Sequence, residues 1–415
     1  MEFVAKIRQQ PILYMTFAAV VTFLCAQAWD MATTTDAAII LWLIGLGYAV
    51  VDRGFPAFSP AQKIISILSL ATFASYVVSW WGTPYVREIG QVEPAGRFLV
   101  LPLIMYAMVR SGMNLRMLAW ALIAAGFSYA ASAFYEKFYL HVPRVDGDEN
   151  AVTFGNGAIL IFACMSTILI SLKRKREITL VGLSAILVFV AAIYSGSRAS
   201  LIVLLPLAVI LTTIYKKRAL PFLIAGTLGL TIFALNSNYL TKNIQRSYVS
   251  VEAYLKEQNT RTSLGQRFLL WESTICLNEL YPWWGIGPKV FENVMKDTND
   301  PCHIKVITKK HYFTHAHSLY FHSLATKGIL GSLILLSFFA GIIWFSIKKQ
   351  FTLSYMTLAA VLTMLTYGIS MDLFYTRYII DKHITILGIL MGITALTSAR
   401  TKNFGTPKTS KDFEK

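Results

Sequence analysis

Charge is the scarcest ingredient of this sequence. Only 14% of its 415 residues are Asp, Glu, Lys or Arg, against roughly 25% in soluble domains. The apolar residues, 55% of the chain, fall in long uninterrupted runs, which excludes an array of soluble domains. No Gly-x-x-x-x-Gly-Lys loop occurs, so ATP-driven chemistry has no visible site. There is no His-Glu-x-x-His pair. Nor is there an internal repeat or inverted pair of broken helices of the kind many transporters are built on. Acidic residues number 22 against 38 Lys and Arg, a formal net charge of +16. Without a basic helix interleaved with aromatics, that surplus means orientation in a membrane and contact with anionic lipid, not nucleic-acid binding.

Runs of about 17–25 apolar residues cross ~30 Å of hydrocarbon. About twelve such runs are present: near 12–29, 36–52, 63–81, 97–110, 115–136, 154–172, 178–194, 199–215, 219–235, 328–347, 352–370 and 379–398. The expected fold is an all-α polytopic membrane protein. Residues 1–235 hold helices one to nine, 236–327 a large loop or helical region, 328–398 helices ten to twelve, and 399–415 a tail. Basic residues crowd the segments assigned inside, as in Lys173-Arg174-Lys175-Arg176, Lys216-Lys217-Arg218 and Lys348-Lys349, which puts both termini in the cytoplasm and the large loop outside. At the start, Lys6 and Arg8 followed by an apolar run and Ala26-Gln27-Ala28 fit a retained helix or a cleaved signal. A retained helix is the reading taken, because multi-spanning proteins seldom need a removable signal. Cys25 and Cys164 lie in spans, and Cys276 and Cys302 in the large loop. Those two either form a disulfide in an oxidising compartment such as a bacterial periplasm or stay as thiols.

The residues able to do chemistry gather on the outer side. His315-Ala316-His317-Ser318 precede an apolar helix, and Leu324, Gly328 and Gly331 follow His317 by 7, 11 and 14 positions. Those intervals approach whole turns, so one helix face is expected to carry an imidazole at its N-terminus and two glycines where it enters the membrane. Helix N-termini favour anions. Arg198 ends the tight turn Tyr194-Ser195-Gly196-Ser197-Arg198, where small residues let an anion approach the backbone. Arg267 and Trp271 stand one turn apart on an expected helix; a guanidinium held beside an aromatic ring is a planar clamp for phosphate oxygens. Asp372 and Arg377, with Asp381, Lys382 and His383, form a charged group around the last outside turn. His311, His315, His317 and His322 suggest zinc, but no paired carboxylate accompanies them, so no metal and no cofactor is assigned. Asp146-Gly147-Asp148 is taken as a solvated turn. Tyr281-Pro282-Trp283-Trp284-Gly285-Ile286-Gly287-Pro288 is expected to rest on the membrane surface. Together these residues describe an outward-facing cationic pocket suited to an anionic lipid headgroup.

From about residue 140 onward the chain resembles the O-antigen ligase family, which shares a core domain with O-antigen polymerases and pilin O-oligosaccharyltransferases. His317-Ser318, nine residues, Gly328, two residues and Gly331 fit that family's pattern His-[Asn/Ser/Gln]-x9-Gly-x2-[Gly/Thr/Tyr], with Ser318 where Asn is commoner. Ser197-Arg198 and the segment Thr262 to Arg267 resemble the stretches carrying its two arginines. Asp372 and Arg377 resemble its charged end of the penultimate span. The resemblance implies a GT-C-type glycosyltransferase, inverting and metal-independent, in the bacterial inner membrane with its active site facing the periplasm. Its donor would be a polysaccharide on undecaprenyl pyrophosphate, and its acceptor a hydroxyl of lipid A–core oligosaccharide. His317, Arg198 and Arg267 would be catalytic. His315, Ser318, Trp271, Asp372 and Arg377 would bind substrate, and Gly328 and Gly331 would be structural, letting the helix pack tightly. An O-antigen polymerase or protein O-oligosaccharyltransferase shares most of these features, and a transporter of anionic lipid or sugar is the more distant alternative.

Overall fold

The structure, a computed structural model, describes residues 2–215, 238–257, 262–303, 313–349 and 352–403. The expected ninth span, near 219–235, and His311 lie outside the described residues. Every described element is helical. In chain order they are α1 Glu2–Ala26, α2 Met31–Val51, α3 Pro60–Gly82, α4 Ile89–Val92, α5 Arg97–Ser111, α6 Leu115–Phe134, α7 Ala151–Ile168 and α8 Lys175–Tyr194. Then follow α9 Arg198–Ile202, α10 Leu204–Tyr215, α11 Asn238–Glu257, α12 Ser263–Leu280, α13 Phe291–Lys296, α14 Leu319–Lys349, α15 Thr352–Tyr367 and α16 Arg377–Asn403.

Helix starts are set by short polar side chains that accept the free N–H groups of the first turn. Asp30 does this for α2, Asn114 for α6 and Asn150 for α7. Ser59 and Gln62 close a capping box ahead of Pro60 in α3. Seven described helices, α14 among them, are long and apolar enough to cross a bilayer, and shorter apolar helices at Pro11–Ala26, Ser200–Thr213 and Ser354–Tyr367 stand at other expected spans. The chain is a polytopic, all-helical membrane protein.

Within the bundle α5 lies against α2 and α16, α3 against α14, and α6, α7 and α8 against one another, with α15 on α7. Aromatic rings fill the centre: Phe98 meets Tyr76, Phe338 and Phe374. Leu43, Val51, Ile67, Leu205 and Leu333 stay exposed, as side chains facing lipid do. One boundary differs from the sequence expectation. The tenth span was expected from residue 328, but α14 begins at Leu319 and is interrupted at Gly328, where φ is 64° and ψ −167°. The His317 pattern therefore does not run down one face of an unbroken helix.

Candidate active site

A break inside a helix strands carbonyls before it and N–H groups after it, and each must find a partner when buried. The segment between α12 and α13 supplies them. Ile286 N–H donates to Ala325 O (2.9 Å) and Gly287 N–H to Thr326 O (3.0 Å). Past the break, Ile329 N–H reaches Pro282 O (2.7 Å) and Leu330 N–H reaches Trp283 O (3.3 Å). Two hydroxyls of the α3 end complete the set, Ser79 to Thr326 O and Thr83 to Ile286 O. The approach is so close that only glycine fits on either side. A Cβ on Gly328 would stand 2.4 Å from Trp283 C, and one on Gly285 would stand 2.5 Å from Ala325 O. The Tyr281–Pro288 segment, expected merely to rest on the membrane surface, clasps the broken helix while Trp283 and Trp284 remain exposed. Gly331 lies a turn below Gly328, where a Cβ would come 2.5 Å from Lys327 Cβ.

The clasped half of α14 carries the histidine turn at its start. His317 has φ 50°, in the left-handed region that a side chain with a Cβ rarely occupies. Ser318 is buried beside it, and the first free amide of the helix, Leu319 N–H, donates to Gly368 O (2.8 Å) and Met371 O (3.1 Å). The rings of His315 and His317 lie 4.2 Å apart, His315 stacks on Tyr375 at 4.7 Å, and Phe313 meets His317 edge-on at 5.8 Å. Trp271 stacks on Phe321 (4.6 Å) and donates its Nε1–H to Ala316 O (3.2 Å). So α12, which carries both Arg267 and Trp271, is docked against the histidine turn.

Burial, and after it the Arg267 guanidinium nearby, push the His317 imidazole down to about 4. His315 is held well below the usual histidine range by burial, then by His317, His322 and Arg267. Both rings are therefore neutral near pH 7 and able to accept a proton. Arg198 opens α9 behind the Ser197 cap and the left-handed Gly196; its side chain lies outside the described residues. The Arg198 turn is tied down by Arg144 Nε to Ser195 O (2.9 Å) and Ser200 Oγ to Asn156 Oδ1 (2.8 Å).

Asp372 is buried below the histidines. Its Oδ1 accepts Phe374 N–H (3.0 Å) and its Oδ2 lies 3.5 Å from His322 Nε2. Burial raises its carboxyl, while the Phe374 N–H and the Lys327 charge pull it back. The other charges of the last outside turn do not gather on one another as expected. Arg377 pairs with Glu93, Asp381 with Arg97 (3.2 Å), and Lys382 lies 3.6 Å from Glu149. His383 Nε2 meets Tyr367 OH at 2.6 Å. Glu93, Arg97 and Glu149 all come from segments distant in sequence. Asp146 and Gly147 donate their N–H groups to the Glu136 carboxylate (2.8 and 2.9 Å), which makes that acidic turn a local brace. Among the described residues no three His, Cys, Asp or Glu side chains come together as a metal site. Of the two alternatives left open for the loop cysteines, the disulfide is present: Cys276 and Cys302 are bonded, with Cα atoms 5.7 Å apart.

Three contributors escaped the sequence reading. His322 entered it only as a zinc candidate, and Tyr375 not at all. Lys327 is almost wholly buried, its Nζ 4.1 Å from the Tyr76 ring centre. The available signal was a lysine inside an apolar run one residue before Gly328, since an ionisable group at membrane depth is costly unless partnered.

Comparison with known proteins gives two findings. Residues 183–336 match the O-antigen ligase family model, a stretch running from α8 through Arg198, Arg267 and the histidine turn to just past Gly331. An uncharacterized protein of Haemophilus influenzae is 25% identical over 323 residues, covering 75% of this chain and 80% of that relative. Over residues 183–336 the chain is similar to the O-antigen ligase family, and that similarity supports a transferase function of the ligase or polymerase type.

Proposed function

We propose that this chain is an O-antigen ligase, a metal-independent, inverting glycosyltransferase of the GT-C type in lipopolysaccharide biosynthesis. It moves a polysaccharide from undecaprenyl pyrophosphate to a sugar hydroxyl of lipid A–core oligosaccharide, at the periplasmic face of the bacterial inner membrane. The observation that carries this reading is a neutral imidazole, His317, held in a left-handed turn within the field of Arg267 on a neighbouring helix. The Cys276–Cys302 bridge supports the orientation, since such bonds persist in an oxidising compartment.

In the proposed step the acceptor oxygen attacks the anomeric carbon from the face opposite the leaving group. The new C–O bond forms as the bond to pyrophosphate breaks, and its electron pair leaves on the pyrophosphate. His317 takes the acceptor proton, a general-base role worth about 10²–10⁴-fold. Because the ring titrates near pH about 4, it is a weak base that removes the proton only as the new bond forms. Arg198 and Arg267 hold the pyrophosphate and stabilise the charge it gains, worth roughly 2.7–4 kcal/mol per donor by analogy with oxyanion holes. His315 helps hold the acceptor. The glycosyl–pyrophosphate bond itself supplies the driving force, so no nucleotide is needed.

Deleting the gene and running lipopolysaccharide on a gel separates the readings. Loss of a ligase leaves bare core while lipid-linked polymer accumulates; loss of a polymerase leaves core bearing a single repeat. With purified protein, transfer should survive EDTA; inhibition reversed by a divalent ion would overturn the metal-free mechanism. Movement of lipid-linked sugar across vesicles without covalent transfer would revive a transporter.

A further inference from the structure

The peptide between the two active-site histidines is gripped from both sides. Ala316 N–H donates to His322 Nδ1 at 3.4 Å, and Ala316 O accepts from Trp271 Nε1 at 3.2 Å. A backbone N–H can only donate, so Nδ1 of His322 carries no proton and Nε2 does. That Nε2 faces Asp372 Oδ2 at 3.5 Å. The Asp372 carboxylate is fixed in turn by Phe374 N–H (3.0 Å).

His322 itself is largely buried, with one edge on a cavity that it lines together with Tyr76, Phe374 and Tyr375. It is 6% exposed and packed between Phe291 and Tyr375, with ring centres 5.7 Å from each. The residue following Ala316 is His317, in a left-handed backbone conformation that persists only when its surroundings hold it. The left-handed turn is therefore maintained by its neighbours, and the grip on Ala316 is the nearest of them.

We propose that His322 and Asp372 are positioning residues: Asp372 fixes the His322 tautomer, His322 holds Ala316, and Ala316 aims the His317 ring, which rests on the reading of His317 as the base. Asp372 then serves the acceptor-activating residue rather than the substrate. It touches the reaction only through His322, Ala316 and His317.

Two replacements of His322 separate this from packing and from direct proton transfer. His322→Phe keeps the ring between Phe291 and Tyr375 but has no acceptor for Ala316 N–H. His322→Asn puts its amide oxygen near the place of Nδ1 and keeps that acceptor. In a purified transfer assay, His322→Phe should lower kcat on the order of 100-fold with donor KM changed by less than about 2-fold, as misplacement of a base does. His322→Asn should recover most of kcat. A second readout needs no substrate: carbethoxylation of His317 by diethyl pyrocarbonate, followed by mass spectrometry, should be faster in His322→Phe and at the wild-type rate in His322→Asn. Trp271→Phe, which keeps the stack on Phe321 and loses the donor to Ala316 O, should shift both readouts in the same direction and stands in if His322→Phe does not fold.

Wild-type kcat and labelling in His322→Phe would overturn the proposal in favour of simple packing. An Asn variant as inactive as the Phe variant would overturn it in favour of a proton carrier. If the wild-type protein transfers no glycan while the labelling pattern holds, the ligase reading fails and the positioning role stands.

Discussion

The two halves of α14 belong to one helix in two different solvents. From Leu319 to Lys327 the side chains are mostly buried, and His322, Ser323, Thr326 and Lys327 are polar. After Gly328 the helix is apolar, and Leu333, Leu336, Trp344 and Ile347 are exposed where lipid would meet them. The lower half needs little beyond hydrocarbon around it. The upper half is stable only because other segments meet each polar group: the Tyr281–Pro288 clasp, Asp372, Tyr76 and the Gly368–Met371 turn. The contrast separates a membrane anchor from the proposed catalytic platform standing on it.

The largest disruption should come from the junction. Gly328→Ala forces an ordinary side chain into φ 64° and against Trp283. Strain of about 1–3 kcal/mol plus the lost clasp should abolish transfer and lower the melting temperature in detergent; a wild-type melting curve would show that the break is dispensable. Next, Arg267→Gln in the upper platform should cost on the order of 10²–10³ in kcat with the fold intact by circular dichroism. Opening the Cys276–Cys302 bridge by Cys276→Ser with Cys302→Ser should cost about 2–4 kcal/mol of stability. In the wild type both thiols should alkylate only after reduction.

The pH dependence is a finer test. His317 titrates near about 4 in the fold and near 6.5 unfolded, so between those values the unfolded chain binds the extra proton. Stability should fall as pH drops from about 6.5 to about 4, and transfer should lose its base on an acid limb near 4 rather than 6.5. Arg267→Gln removes the smaller of the two causes of that depression, so any residual activity should show the limb moved upward, short of 6.5. The smallest effect belongs to the lower half of α14. Leu336→Ala, on the lipid side, should leave kcat within about 2-fold and stability within about 0.5 kcal/mol; a large loss there would erase the distinction between anchor and platform.

Much of the anchor was legible in the sequence and much of the platform was not. Apolar runs long enough to cross a bilayer announce themselves, and every expected span except the ninth coincides with a described helix. The His317-to-Gly331 spacing drew attention to the stretch in which the helix break lies. Helical periodicity nevertheless misread it, because a glycine inside a helical pattern is usually tolerated, whereas Gly328 adopts a conformation that ends one helix and starts another. Partners were hidden for another reason. Glu93, Arg97 and Glu149 meet Arg377, Asp381 and Lys382 across long separations in sequence, and local pattern carries no trace of such pairs. His322 and Lys327 looked unremarkable until tertiary contacts gave them Ala316, Asp372 and Tyr76 as neighbours.

The most direct test of the central claim is single-turnover transfer by purified His317→Ala, measured beside equilibrium binding of the lipid-linked donor. The predicted result is a folded protein that binds donor as the wild type does and transfers nothing. Transfer at the wild-type rate would contradict the assignment of His317 as the base.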